Sequence, residues 1–82
     1  MSLFIGVDGG GTWTKGAICD ETGLVLAVAS AGSSHPDVVG LDTAARNVHD
    51  VLRDLVERTR HISGEVAGIC ISGTSQAVCE LA

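Results

Sequence analysis

The sequence predicts a small α/β domain with the element order βββαβ and a mixed sheet. Three patterns carry that expectation: strand-length apolar runs split by short turns, a helical apolar period in the middle, and a last apolar run near the end. Residues 3–8 (LFIGVD) are a nearly continuous apolar run, as expected for a strand buried on both faces. Residues 13–20 (WTKGAICD) read as a second strand, and Glu21-Thr22-Gly23 as a turn in which glycine can take positive φ. Residues 24–31 (LVLAVASA) form the third strand. Connections this short join antiparallel neighbours. Residues 32–40 (GSSHPDVVG) are expected to be a loop. A helix is predicted over 41–60, because Leu41, Ala44, Ala45, Val48, Leu52, Leu55 and Val56 fall on one face. Asp42 near its start and Arg58 and Arg60 at its end suit the helix dipole. Ser63-Gly64 ends that element, and residues 66–72 (VAGICIS) form a fourth buried strand. A helical crossover from the third strand favours a right-handed connection to a parallel neighbour. Gly73-Thr74-Ser75-Gln76 is then a second glycine–hydroxyl turn at a strand end.

Composition narrows the function classes. The 82 residues accommodate one small domain, which buries only about 60–65% of the surface of its unfolded chain. The net charge is −5 and no basic cluster appears, which argues against nucleic acid or an acidic membrane as partner. No stretch approaches the roughly 18 apolar residues that span a bilayer, and the start lacks the positive segment of a signal peptide. Cys19, Cys70 and Cys79 are an odd set without a Cys-x-x-Cys pair. They are expected to be reduced, buried thiols of a cytoplasmic protein. His35, His49 and His61 show no ligand spacing with them, which argues against a zinc-type site.

The motif that carries chemistry is Asp8-Gly9-Gly10-Gly11-Thr12, directly after the first strand. Glycines let a backbone pass close to a ligand because no Cβ intervenes. Successive amides in such a turn make a concave site for phosphate oxygens. A carboxylate beside phosphate repels it unless a divalent cation lies between, so Asp8 reads as a Mg²⁺ residue. Gly9, Gly10, Gly11, Thr12, Thr14 and Lys15 are the candidate phosphate-binding residues of a Mg–nucleotide site. The alternative is a tight hairpin whose glycines only relieve strain. Three glycines with an acid before and Thr12, Thr14 and Lys15 after exceed what a turn needs.

The stretch FIGVDGGGTWTKGAICDETGLVLAVASAG resembles the opening of the actin-like ATPase superfamily, which includes sugar kinases and chaperone ATPases. The order βββαβ, with the glycine turn between strands one and two, matches that superfamily's ribonuclease H-like fold. Asp-Gly-Gly-Gly-Thr-x-Thr-Lys and Ala44-Ala45-x-Asn47-Val48 are similar to the BadF/BadG/BcrA group, which contains N-acetylglucosamine kinases. The resemblance spans nearly the whole chain. It implies ATP and Mg²⁺ as cofactors, Asp8 as the Mg²⁺ residue, Gly10, Gly11 and Thr12 as the first phosphate loop, and Lys15 approaching the transferring phosphate. Ser34, His35, Ser72 and Gly73 fall where the group contacts its sugar. The group commonly carries Asn before the Pro, where this chain has His35. FGGY carbohydrate kinases are a second resemblance: their first loop reads Asp-x-Gly-Thr, and Ile71-Ser72-Gly73-Thr74-Ser75-Gln76 is similar to their fourth-strand end.

The resemblance implies an ATP-dependent sugar kinase with a small-molecule sugar partner, cytoplasmic, and a homodimer at full length. A BadF-type ATPase that activates a partner enzyme is the alternative. The catalytic base is an Asp outside these residues, so none is assigned here. A sheet with helices on one side leaves apolar surface open. Residues 1–82 are therefore expected to be the N-terminal part of an incomplete, two-lobed protein, inactive by itself.

Overall fold

A computed structural model describes residues 1–82. The chain forms β1 (Ser2–Asp8), β2 (Trp13–Asp20), β3 (Val25–Gly32), α1 (Pro36–Val39), α2 (Leu41–Arg58), β4 (Glu65–Ser72) and α3 (Gln76–Leu81). The sheet order is β3-β2-β1-β4. The pairs β1/β2 and β2/β3 are antiparallel and β1/β4 is parallel. The mixed sheet and the βββαβ order are as expected, and α1 and α3 are additions.

Both additions have local causes. In α1, Pro36 stands in the first turn and His35 caps it, its Nδ1 accepting from the Asp37 amide at 3.2 Å. Pro suits that position because the N–H it lacks would be unpaired there. Gly40, at φ 86°, ends α1 and starts α2. In α3, Ser75 Oγ accepts from the Val78 amide at 3.3 Å, an ordinary N-cap. The expected turn at 73–76 thus passes straight into a helix. Helix α2 stops at Arg58 rather than 60 because Thr59 turns inward: its Oγ1 donates to the Leu55 carbonyl at 2.8 Å.

One face of the sheet carries the core. Leu3, Ile5 and Val7 of β1, Ile18 of β2 and Ala29 of β3 pack against Val51 and Leu55 of α2. A fully buried side chain of this kind contributes about 1.5–3 kcal/mol. Gly16 lies directly beneath α2, and any Cβ there would run into Val51. A second cluster, Ala44, Ala45, Val48 and Val78, fastens α3 to α2. The predicted helix face was one residue off at its edges: Val51 is buried, while Leu41 and Val56 are 43% and 47% exposed.

All three helices lie on this side, and the other face is open. Strand β1 is therefore not buried on both faces; its residues alternate, with Phe4 and Asp8 outward. Strand β4 is an edge strand and largely exposed, which corrects its expected burial. The thiols change with it: Cys70 is exposed and Cys19 and Cys79 are half-buried, all free. No helix is long and apolar enough to cross a membrane.

Candidate functional site

Asp8 ends β1 and Ser72 ends β4, and the two are register partners in the parallel pair. Ligands of open α/β sheets bind outside such carboxyl ends. The Gly9 amide donates to the Ser72 carbonyl at 2.7 Å and carries the pairing one residue further. Three loops then meet. Ser33 Oγ and the Ser34 amide donate to the Gly10 carbonyl at 3.0 and 3.1 Å. Thr74 Oγ1 donates to the Ser34 carbonyl at 2.8 Å, and Asn47 Nδ2 of α2 donates to the Ser33 carbonyl at 2.7 Å. These bonds fix the glycine loop on the sheet from behind.

The glycines are not equivalent. A Cβ on Gly9 would strike Ser34 Oγ and come within 3.1 Å of Thr74 Cβ. On Gly10 it would lie 3.0 Å from the Trp13 carbonyl oxygen, whereas Gly11 faces open space. None of these residues has positive φ. Gly9 is therefore a packing residue, not a ligand-facing one, and its amide is already committed. The amides of Gly10, Gly11 and Thr12 find no acceptor within the chain. Gly11 and Thr12 are exposed. Gly73 does require glycine: its φ is 76°, and a Cβ would collide with the Gly9 carbonyl and lie 3.2 Å from Asp8 Oδ1. The Asp8 carboxylate thus rests against this turn.

Asp8 and Lys15 are cross-strand partners between β1 and β2, and both are exposed. Neither enters an ion pair; the salt bridges of the chain are Arg53–Asp50 and Arg58–Asp54 on α2. Asp8, Lys15, Ala17, Ser30, Cys70 and Ser72 border an open concavity of about 790 Å³. A smaller cleft of about 400 Å³ lies between His35-Pro36-Asp37 and Gly73-Thr74-Ser75. No three acidic, His or Cys side chains converge.

Two expected site residues turn away from these spaces. Thr14 is fully buried on the helix side, and its Oγ1 donates to the Gly32 carbonyl at 2.8 Å. Strand alternation causes this: Thr14 shares its face with the core residue Ile18. Ser34 is also fully buried, and its Oγ has no hydrogen-bond partner. Its backbone ties the three loops together, so its hydroxyl meets no ligand in this arrangement. His35, Ser72 and Gly73 remain exposed at the site. Ser33 and Thr74 lie in the two loops expected at the site, Ser33–His35 and Ser72–Thr74, whereas Asn47 was not expected there. A polar Asn47 amid the buried positions of α2 was the available signal for it. Asp20 lies at the opposite end of β2; the Thr22 hydroxyl, then the backbone amides of residues 22–24, hold its carboxyl below the usual range.

No curated protein sequence matches the chain. Among solved structures it is similar to a xylulose kinase from Lactobacillus acidophilus, with 28% identity and a TM-score of 0.67 over 88% of this chain and 15% of that one. A gluconate kinase from the same organism gives 28% identity and a TM-score of 0.66 over 87% and 15%. A protein assigned as an N-acetylglucosamine kinase from Chromobacterium violaceum shares the fold, at 19% identity and TM-score 0.61 over 85% and 34%. The chain spans 15% of the length of the first two. The fold is that of the actin-like ATPase sugar kinases. The model of the BadF/BadG/BcrA/BcrD ATPases matches residues 5–80. The chain belongs to the BadF/BadG/BcrA/BcrD ATPase family.

Proposed function

We propose that these residues form the N-terminal, phosphate-binding part of an ATP-dependent carbohydrate kinase. The observation that supports this most is the row of unpaired amides at Gly10, Gly11 and Thr12, beside the exposed carboxylate of Asp8. Unpaired, clustered N–H groups suit phosphate oxygens. Asp8 would hold Mg²⁺, a cation that keeps several waters and takes one or two protein carboxylates plus substrate phosphates. A lone carboxylate with no converging ligands fits that donor set. Bound Mg²⁺ would offset the charge of the phosphates. Lys15, free of any ion pair, supplies a further positive charge on the same side of the sheet. Phosphoryl transfer also needs a group that orients the acceptor hydroxyl, and none of the residues named here is given that role. The setting is cytoplasmic and the partners are small molecules. The similarity to a xylulose kinase and a gluconate kinase supports the sugar as acceptor.

The family match, which names ATPases, supports a second reading, here an ATPase that activates a partner enzyme. One assay separates them. The full-length product of the natural gene is given Mg–ATP, and ADP release is followed across pentoses, hexoses and amino sugars. The kinase reading predicts release that depends on one sugar. Turnover indifferent to every sugar would replace it with the activator. Asp8→Asn should weaken Mg-dependent nucleotide binding by about 10- to 100-fold, the value of one or two charge-assisted contacts.

A further inference from the structure

We infer that Asn47 and Thr74 are positioning residues for nucleotide binding: through two hydrogen-bonded relays they aim the Gly11 amide at the phosphates and strengthen it as a donor. This rests on the phosphate-binding reading above. Both relays end on one atom, the Gly10 carbonyl oxygen. In the first, Asn47 Nδ2 of α2 donates to the Ser33 carbonyl at 2.7 Å. The N–H of that same peptide unit belongs to Ser34 and donates to the Gly10 carbonyl at 3.1 Å. In the second, Thr74 Oγ1 donates to the Ser34 carbonyl at 2.8 Å. The N–H of that peptide unit belongs to His35 and donates to Ser33 Oγ at 3.0 Å. The Ser33 hydroxyl in turn donates to the Gly10 carbonyl at 3.0 Å. A hydroxyl can give one proton and accept as well, so each relay runs in one direction without a break.

No peptide bond of the chain is cis. Across the planar Gly10–Gly11 unit, the Gly11 N–H therefore points opposite to the Gly10 C=O. The carbonyl turns inward and accepts twice, from Ser33 Oγ and from the Ser34 amide. The Gly11 N–H is left pointing outward with no acceptor in the chain. Holding one end of this rigid unit aims the other. Hydrogen bonds in series also polarise one another, by about 10–30% per bond. Both relays act on the one N–H that a phosphate oxygen would meet. Packing does not explain Asn47, whose neighbours on α2, Ala44, Ala45 and Val48, are buried and apolar. Its reach to Ser33 does, and Gly32 leaves room for it: a Cβ there would lie 3.2 Å from Asn47 Nδ2.

The test uses the full-length product of the natural gene with Asn47→Ala, Thr74→Val and Thr74→Ser. Ala suits a helix interior, and Val keeps the branched shape of Thr without its hydroxyl. Calorimetry gives the affinities for Mg–ATP and for adenosine, and NMR follows the Gly10 carbonyl carbon and the Gly11 amide without nucleotide. Asn47→Ala and Thr74→Val should each weaken Mg–ATP binding by about three- to tenfold. That is part of the loss, about ten- to hundredfold, expected for a whole charge-assisted hydrogen bond. Adenosine has no phosphate, so its affinity should not change. Both variants should move the Gly10 and Gly11 resonances and leave those of Thr22 and Leu24 still. Thr74→Ser returns the hydroxyl and should recover wild-type Mg–ATP affinity. Equal losses for adenosine and Mg–ATP would mean a merely structural role and overturn the proposal, as would wild-type Mg–ATP affinity in Thr74→Val. If Asn47→Ala does not fold, the Thr74 pair decides. Failure of the phosphate-binding reading would show separately, as a wild-type Gly11 amide that saturating Mg–ATP leaves unmoved, and would take this proposal with it.

Discussion

Replacing the three glycines one at a time with alanine separates the packing role of this loop from its binding role. At Gly9 the new methyl meets Ser34 Oγ, Thr74 Cβ at 3.1 Å and the Ser72 carbonyl oxygen at 3.3 Å. Ser34 is fully buried, so its hydroxyl cannot swing clear. Overpacking of this kind costs about 1–3 kcal/mol. Displacing the Gly9 amide from Ser72 adds about 1 kcal/mol. Gly9→Ala should therefore destabilise by about 2–4 kcal/mol by these two effects. At Gly10 the single contact, Trp13 carbonyl oxygen at 3.0 Å, predicts a milder loss, about 1 kcal/mol. At Gly11 nothing lies within 4 Å and φ is not positive. Gly11→Ala should be neutral or stabilising, by up to about 1 kcal/mol, through the unfolded state. Yet Gly11→Ala puts a methyl where phosphate would approach, and should weaken Mg–ATP binding by about tenfold or more, about 1.4 kcal/mol. Urea unfolding and calorimetric Mg–ATP titration of each variant read the two effects. A stable Gly9→Ala, or a Gly11→Ala that unfolds as readily as Gly9→Ala, would refute the assigned roles.

Three further outcomes follow from the same geometry. Thr14→Val should cost about 1 kcal/mol by losing the bond to the Gly32 carbonyl, with Mg–ATP affinity unchanged; a large loss of affinity at full stability would return Thr14 to the site. Leu55→Ala, at a fully buried position beneath which Gly16 leaves no slack, should destabilise by about 2–5 kcal/mol in urea. Asp20 accepts from Thr22 and Leu24, and its carboxyl is held below the usual range. Its contribution is thus complete above the ordinary carboxylate range and fades as pH falls through the lowered folded value. Asp20→Asn should flatten that acid limb of stability; an unaltered pH profile would show that the turn gains nothing from the charge.

The strands could be read from sequence wherever apolar runs met turn residues, and β1, β2 and β3 agree with expectation to within a residue at each end. Burial could not be read the same way. The run at 66–72 is apolar enough for a central strand, but sheet order makes β4 an edge. Order is set by long-range pairing, which no local window contains. The helix α1 was hidden because His is an uncommon cap, and only its bond to the Asp37 amide discloses it. Thr14 could have been placed correctly: Ile18 in the core puts residues 14 and 16 on the same inward face. The division of labour among Gly9, Gly10 and Gly11 could not, because Gly9 answers to Ser34 and Thr74, far along the chain. Asp8 and the exposed loop tip stand out as a candidate site in the sequence because acid, glycines and hydroxyl sit in one short stretch.

The central claim is that the Gly10–Thr12 amides bind the phosphates of a Mg-nucleotide beside Asp8. The direct measurement is a ¹⁵N–¹H spectrum of the protein titrated with Mg–ATP. The amides of Gly10, Gly11 and Thr12 should shift with saturation, and the shifts should fade in Asp8→Asn, while the hairpin amides of Thr22 and Leu24 stay still. Saturating Mg–ATP that leaves those three amides unmoved would contradict the account.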